Sequence, residues 1–272
     1  MSGSSRIAER FAALAEAGRM AFMPFVTAGD PDLDTTLAVV GELSRRGVDL
    51  VEVGFPYSDP IADGPVIQAS YQRALEGGLR VEEIFERFGE LDPESTPPLV
   101  AMVSYAIIYR RGPAQFVARA AESGFSGMIV PDLPGEESSE LAEVASGGGL
   151  DLVQLVSPTT PSSRLDAILS AASGFLYCIS VAGTTGARES VPIELSAQLA
   201  DLQSRTELPL AVGFGISQAE HIRSLRGIAQ GAIVGSALVS RLEPIAVDGE
   251  DRGVVLDRVG DWIEGLVEAA HC

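Results

Sequence analysis

The stretch VDLVEVGFPYSDPIADGP, residues 48–65, holds three carboxylates of chemical interest: Glu52, Asp59 and Asp63. Glu52 is set in an apolar run (Val48, Leu50, Val51, Val53), while Asp59 and Asp63 lie in a connection broken by Gly54, Pro56, Pro60 and Gly64. A buried strand accepts consecutive apolar side chains but rarely a charge. Glu52 therefore either pairs with an arginine in the core or stands at the open end of its strand and does chemistry. Arg46 belongs to the preceding helical pattern, and no arginine follows Glu52 within twenty positions, which favours chemistry. A glutamate walled by apolar groups has its pKa raised by desolvation and can exchange a proton near neutrality. Asp63, on a Gly/Pro-rich loop nearer water, is expected to stay ionised, giving the split an acid–base pair needs. The competing reading of Asp63 is an N-cap on the helix that follows.

Two glycine turns have a different chemistry. Gly213-Phe214-Gly215-Ile216-Ser217 leaves one apolar run and leads into Ser217-Gln218-Ala219-Glu220, which has capping-box spacing. Gly235-Ser236 leaves the next apolar run into a short helix. Glycines there let backbone N–H groups approach an anion at a helix N-terminus; ordinary tight turns are the alternative. Ala182-Gly183-Thr184-Thr185-Gly186-Ala187-Arg188 is small and polar, either a closing lid or a plain loop. Tyr177, on the strand before it, either faces the same space or packs.

Composition narrows the classes. All 19 basic residues are arginine, so Schiff-base chemistry, pyridoxal phosphate attachment and a P-loop lysine are excluded in this chain. A net charge of −19 disfavours nucleic acid and anionic membranes as partners. The two cysteines, Cys178 and Cys272, do not make a disulfide framework, so a cytoplasmic setting is expected. His221 and His271 fall in polar, helix-like stretches and are expected at the surface, and no histidine-rich metal site is expected. No apolar run is long enough to span a bilayer, and the first ten residues do not read as a signal sequence.

These groups need a scaffold. Apolar runs beginning at residues 20, 48, 99, 127, 152, 175, 210 and 232 alternate with helical patterns. Short apolar strands alternating with helices imply a parallel sheet covered on both faces. Eight such units predict an α/β fold of the closed (β/α)8 TIM-barrel type, with an extra N-terminal helix over Ser5–Ala17 and a single domain over 1–272. No GxGxxG follows the first strand, which argues against a dinucleotide fold. In such barrels the site forms at the C-terminal ends of the strands, and the loops after strands seven and eight often hold phosphate.

Several stretches together are similar to the tryptophan synthase alpha subunit family. They are Pro24–Pro31 (PFVTAGDP), Glu52–Pro65 (EVGFPYSDPIADGP), Gly213–Ser217 and Gly235-Ser236, and the likeness spans nearly the whole chain. The resemblance implies a (β/α)8 barrel that cleaves indole-3-glycerol phosphate to indole and glyceraldehyde 3-phosphate. It also implies an αββα complex whose beta subunit carries pyridoxal phosphate, with no cofactor in this chain. On the matching positions, Glu52 and Asp63 are the catalytic acids, with Asp63 holding the indole N–H. Tyr177, Thr185 and Gly186 match the substrate tyrosine and lid. Phe22, Ile67, Tyr105, Ile129, Phe214 and Ile233 match the indole pocket, and Gly213, Gly215, Gly235 and Ser236 match the phosphate loops. Asp59 and its neighbours match a loop that communicates with the beta subunit. Two departures stand out: Ile107 replaces a frequent asparagine, and the lid lacks a common valine before its Thr-Gly pair.

Overall fold

Hydrogen bonding runs β1 (Ala21–Thr27), β2 (Val51–Gly54), β3 (Leu99–Met102), β4 (Phe125–Ile129), β5 (Asp151–Val156), β6 (Leu176–Ile179), β7 (Leu210–Gly213) and β8 (Gly231–Val234) in sequence order, all parallel, and β8 returns to β1. The result is a closed eight-stranded barrel. The computed structural model describes residues 5–60, 63–179, 193–213 and 215–272, apart from the side chains of 193 and 194. Around the barrel lie α1 (Arg6–Glu16), α2 (Leu33–Arg45), α3 (Pro65–Glu76), α4 (Val81–Phe88), α5 (Tyr105–Arg111), α6 (Pro113–Glu122), α7 (Ser139–Gly147), α8 (Ser162–Ala171), α9 (Ile193–Arg205), α10 (Ala219–Ser224), α11 (Ser236–Val247) and α12 (Arg252–His271).

Period-two alternation sorts the strand side chains into two layers. Ala21, Met23 and Phe25 of β1, Val100 and Met102 of β3, Ile129, Val153, Ala211 and Ile233 belong to an apolar cluster inside the barrel. Their neighbours Phe22, Val26, Val51, Val53, Ala101, Val212 and Val234 pack with the helices in an outer cluster. Both faces of each strand are thus buried, which is why the strands read as unbroken apolar runs.

α1 closes the N-terminal end of the barrel. Ser5 caps it by accepting from the Ala8 N–H, and Gly18 releases the chain with φ +68. Its Ile7, Phe11 and Leu14 join the inner cluster, with the Phe11 and Phe175 rings 5.6 Å apart. Asp49, fully buried just before β2, ties this end together: it accepts from Arg10 Nη2 (2.7 Å) and the Phe22 N–H (2.7 Å), and His271 Nε2 lies 3.0 Å away. The first two elements, α1 and β1, thereby meet the last, α12, on one carboxylate.

One helix is added to the sequence reading, and two expectations change. α5 does not stand out by periodicity; it forms because Ser104 caps it and Asp132, from the connection after β4, binds the Ser104 hydroxyl and the Tyr105 N–H. The helix after Gly235 is twelve residues long rather than short. His221 is buried, and His271 is mostly buried against Asp49, so neither is the surface residue the sequence suggested.

Candidate active site

β2 delivers Glu52 to the barrel interior, level with Phe25 of β1 and Val100 of β3. The residue is 1% exposed, and neither carboxyl oxygen has a hydrogen-bond partner among the described residues. The pairing alternative is therefore not realised. Burial, with no compensating donor, pushes its pKa from the ordinary 4.5 up to about 8. Glu52 holds its proton at neutral pH.

Asp63 is half-buried at the far end of the connection that leaves β2. The N-cap of α3 is Gly64, with no side-chain cap bond, so the capping role expected as the alternative is not taken by Asp63. The backbone holds Asp63 instead: its N–H donates to the Pro60 carbonyl (3.0 Å), and Gln68 Nε2 donates to the carbonyls of Asp63 (2.7 Å) and Pro60 (3.2 Å). Gln68 went unnoticed in the sequence, since an exposed glutamine on a helix carries no signal. Burial also raises the Asp63 pKa, against a downward pull from the Tyr57 hydroxyl, so desolvation reaches both acids.

Tyrosines complete the wall. Tyr177 faces inward from β6 and packs against the inner cluster, and its hydroxyl leans over Gly213, where an added side-chain carbon would fall 2.6 Å from it. Burial, with Glu52 and Asp63 adding to it, raises the Tyr177 pKa well above the ordinary range. Tyr57 and Tyr71 lie with ring centroids 5.6 Å apart. Burial and Asp63 raise Tyr57 to about 12.

The apolar lining is partly as the sequence suggested. Ile67, Ile129 and Ile233 join the inner cluster. Phe22 does not: one position off the inward parity of β1, it packs toward the helices, and Phe25 takes the inward place. Tyr105 opens α5 and packs with the outer layer, its ring 6.1 Å from that of Tyr109. Thr185, Gly186 and Phe214 lie outside the described residues.

The glycine turns divide. Gly213 is required by the close approach of Tyr177, and Gly215 by its φ of +72. Gly235 is required by neither. Among the described residues an added carbon there would meet only Ile67 Cδ1 at 3.7 Å and Phe25 Cβ at 3.9 Å, so the N-terminus of α11 borders the inner cluster. Ser236, the first residue of α11, is exposed beside it. The capping box at Ser217 does not form: α10 begins at Ala219 after Gln218, and the Ser217 N–H donates to His221 Nδ1 (3.3 Å). Trp262 Nε1 donates to the Ser217 carbonyl (3.3 Å), so two side chains brace this loop. Among the described residues no group of three His, Cys, Asp or Glu side chains is placed to hold a metal ion. None of the described helices is long and apolar enough to cross a membrane.

The arrangement offers a protonated carboxyl on the apolar inner wall of the barrel and a second, half-buried acid in the connection that leaves the same strand. Residues 11–259 match the family model described as "Tryptophan synthase alpha chain". The chain is 44% identical over 267 residues to the tryptophan synthase alpha chain of Rhodopirellula baltica, covering 95% of this chain and 96% of that one. It is 42% identical over 262 residues to that of Carboxydothermus hydrogenoformans, covering 96% and 98%. Among solved structures, a tryptophan synthase of Mycobacterium tuberculosis superposes with a TM-score of 0.89 at 29% identity, covering 99% of this chain and 100% of that one.

Proposed function

The chain belongs to the tryptophan synthase alpha chain family, whose alpha reaction is a carbon–carbon lyase activity, and we propose that Glu52 and Asp63 carry that reaction here. The substrate is indole-3-glycerol phosphate, and the products are indole and glyceraldehyde 3-phosphate. Glu52, neutral at physiological pH, gives its proton to C3 of the indole ring. The ring becomes cationic, and Asp63 stabilises that charge by accepting from the indole N–H. The bond between C3 and the side-chain carbon then breaks. Its electron pair returns to the ring and restores indole, while the hydroxyl on that carbon becomes the aldehyde carbonyl. The hydroxyl proton passes to the Glu52 carboxylate, so the acid is regenerated without a second proton carrier. Tyr177, Ile67, Phe25, Ile129 and Ile233 enclose the indole, with Thr185, Gly186 and Phe214 completing the substrate contacts. The phosphate rests on backbone N–H groups around Gly213, Gly215, Gly235 and Ser236, where the helix dipole of α11 attracts an anion. A lysine-free chain binds phosphate this way, through backbone rather than a side-chain cation.

One observation carries this reading: a fully buried glutamate on the inner wall of a barrel, its carboxyl without a hydrogen-bond partner among the described residues. Such a group is costly unless it is used. An alpha chain implies a beta-subunit partner, and the assembly we propose is an αββα tetramer in the cytoplasm. Exposed Ser58 and Asp59 at the tip of the connection, with Ile107 and the 71%-exposed Tyr109 of α5, offer that partner a contact beside the site. Pyridoxal phosphate belongs to the beta subunit in this scheme.

The test is to incubate the purified chain with indole-3-glycerol phosphate, with and without a beta subunit, and to quantify free indole. Slow release alone that rises strongly with the partner supports the reading. No indole under either condition overturns it. Fast release unaffected by the partner would make the chain a stand-alone lyase.

A further inference from the structure

Glu52 is not the only unsatisfied polar group in the chamber. Tyr71, on α3, is 1% exposed, and its hydroxyl has no hydrogen-bond partner among the described residues. The ring belongs to the inner cluster, between Phe25 (centroids 6.5 Å apart) and Tyr57 (5.6 Å). Its hydroxyl rests on Gly54, where an added side-chain carbon would lie 2.6 Å from Oη and would also strike Phe25 Cζ. Gly54 is two residues beyond Glu52 on the same strand, so both face inward and Gly54 is nearer the mouth. A phenol at neutral pH is a donor, and a carboxylate accepts only. Donor and acceptor thus stand on one wall, both sealed from water, and each lacks what the other has.

To reach a substrate entering from the mouth, Glu52 has to turn along that wall, past the bare backbone of Gly54. We propose that Tyr71 is a positioning residue for Glu52: its hydroxyl takes up the Glu52 carboxyl when that side chain turns toward the mouth of the barrel. The bond holds the carboxylate left after the proton transfer in place to recover the hydroxyl proton. Gly54 is glycine because the passage and the Tyr71 hydroxyl occupy the room a side chain would need. Tyr57 and Asp63 of the connection after β2, Tyr71 of α3 and Tyr177 of β6 are the titratable groups that share this space with Glu52. Burial, reinforced by Asp63, Tyr57 and Glu52, keeps Tyr71 protonated well past the ordinary range, so it remains a donor throughout.

The inference rests on Glu52 being the proton carrier, so Tyr71→Phe and Glu52→Gln are assayed side by side, in the complex with a beta subunit. Tyr71→Phe keeps the ring and removes one oxygen. Expected is a kcat lower by roughly 10- to 100-fold, the worth of one hydrogen bond to a charged group, with KM unchanged. The alkaline limb of the kcat profile moves to higher pH, because the carboxylate loses a donor that favoured it. Tm stays the same or rises, since an unpartnered hydroxyl has no bond to lose. An unchanged kcat and limb overturns the proposal, as does a raised KM at constant kcat, which would make Tyr71 a substrate contact. A clearly lower Tm also overturns it, by showing a structural bond. If Glu52→Gln keeps its activity, the proton-carrier reading fails first. If only Tyr71→Phe is silent, that reading stands and this inference falls.

Discussion

Glu52→Gln should leave the protein inactive and, above neutral pH, more stable. In the folded chain the Glu52 carboxyl holds its proton up to about 8, against 4.5 when solvated. Between these values the folded state binds a proton that the unfolded state has released, so stability falls as pH rises. The contribution is fully favourable below 4.5 and is lost as pH climbs through about 8. The resulting cost of this one group is ~1 kcal/mol at pH 5, ~3 kcal/mol at pH 7 and ~5 kcal/mol at pH 9. Glutamine is neutral at every pH and lacks this slope. Urea unfolding followed by circular dichroism should therefore show nearly coincident stabilities at pH 5 and a variant more stable by ~4 kcal/mol at pH 9. Indole formation should fall below a few per cent throughout. If the two stability curves stay parallel from pH 5 to pH 9, Glu52 ionises as a solvated acid does, and it cannot be the neutral proton donor. A retained rate would refute the chemistry even with the predicted slope.

Asp63→Asn should lower indole formation by roughly 100-fold or more, with little change in Tm, because the α3 N-cap is Gly64 and receives no side-chain bond from Asp63. A variant that melts much earlier with a normal rate per folded molecule would mean that Asp63 serves the helix rather than the reaction. Gly235→Ala should fold normally, its added carbon 3.7 Å from the nearest atom, and Gly235→Val should raise KM for the phosphorylated substrate several-fold further. An unchanged KM in both would place the phosphate elsewhere. Gly213 is a poorer probe, since a side chain there strikes the Tyr177 hydroxyl and disturbs the wall itself.

Two buried acids, Asp49 and Glu52, have opposite surroundings. At the N-terminal end Asp49 is satisfied by Arg10, the Phe22 N–H and His271. Further along β2, Glu52, and beside it Tyr71, have no hydrogen-bond partner among the described residues. The first arrangement joins the two ends of the chain to the barrel floor. The second leaves a donor and an acid unpaired on the inner wall, where the proposed reaction would use them.

The barrel was legible because repetition is a strong signal: eight apolar runs separated by helices allow few other folds, and a lone glutamate within one run has few explanations besides use. Glycine and proline around Asp63 likewise marked a connection before any coordinate was known. What the sequence could not decide was direction and company. Phe22 and Phe25 are equally apolar, and only the parity of β1 turns Phe25 rather than Phe22 to the inner cluster. Asp49 and His271 read as ordinary polar positions until folding brings residues more than two hundred apart to 3.0 Å. α5 depends on Asp132, which no local pattern announces. Local periodicity records which residues avoid water, because that preference is a property of each side chain. Which neighbour a buried polar group finds, or fails to find, depends on contacts between segments distant in sequence, and only the closed barrel sets those.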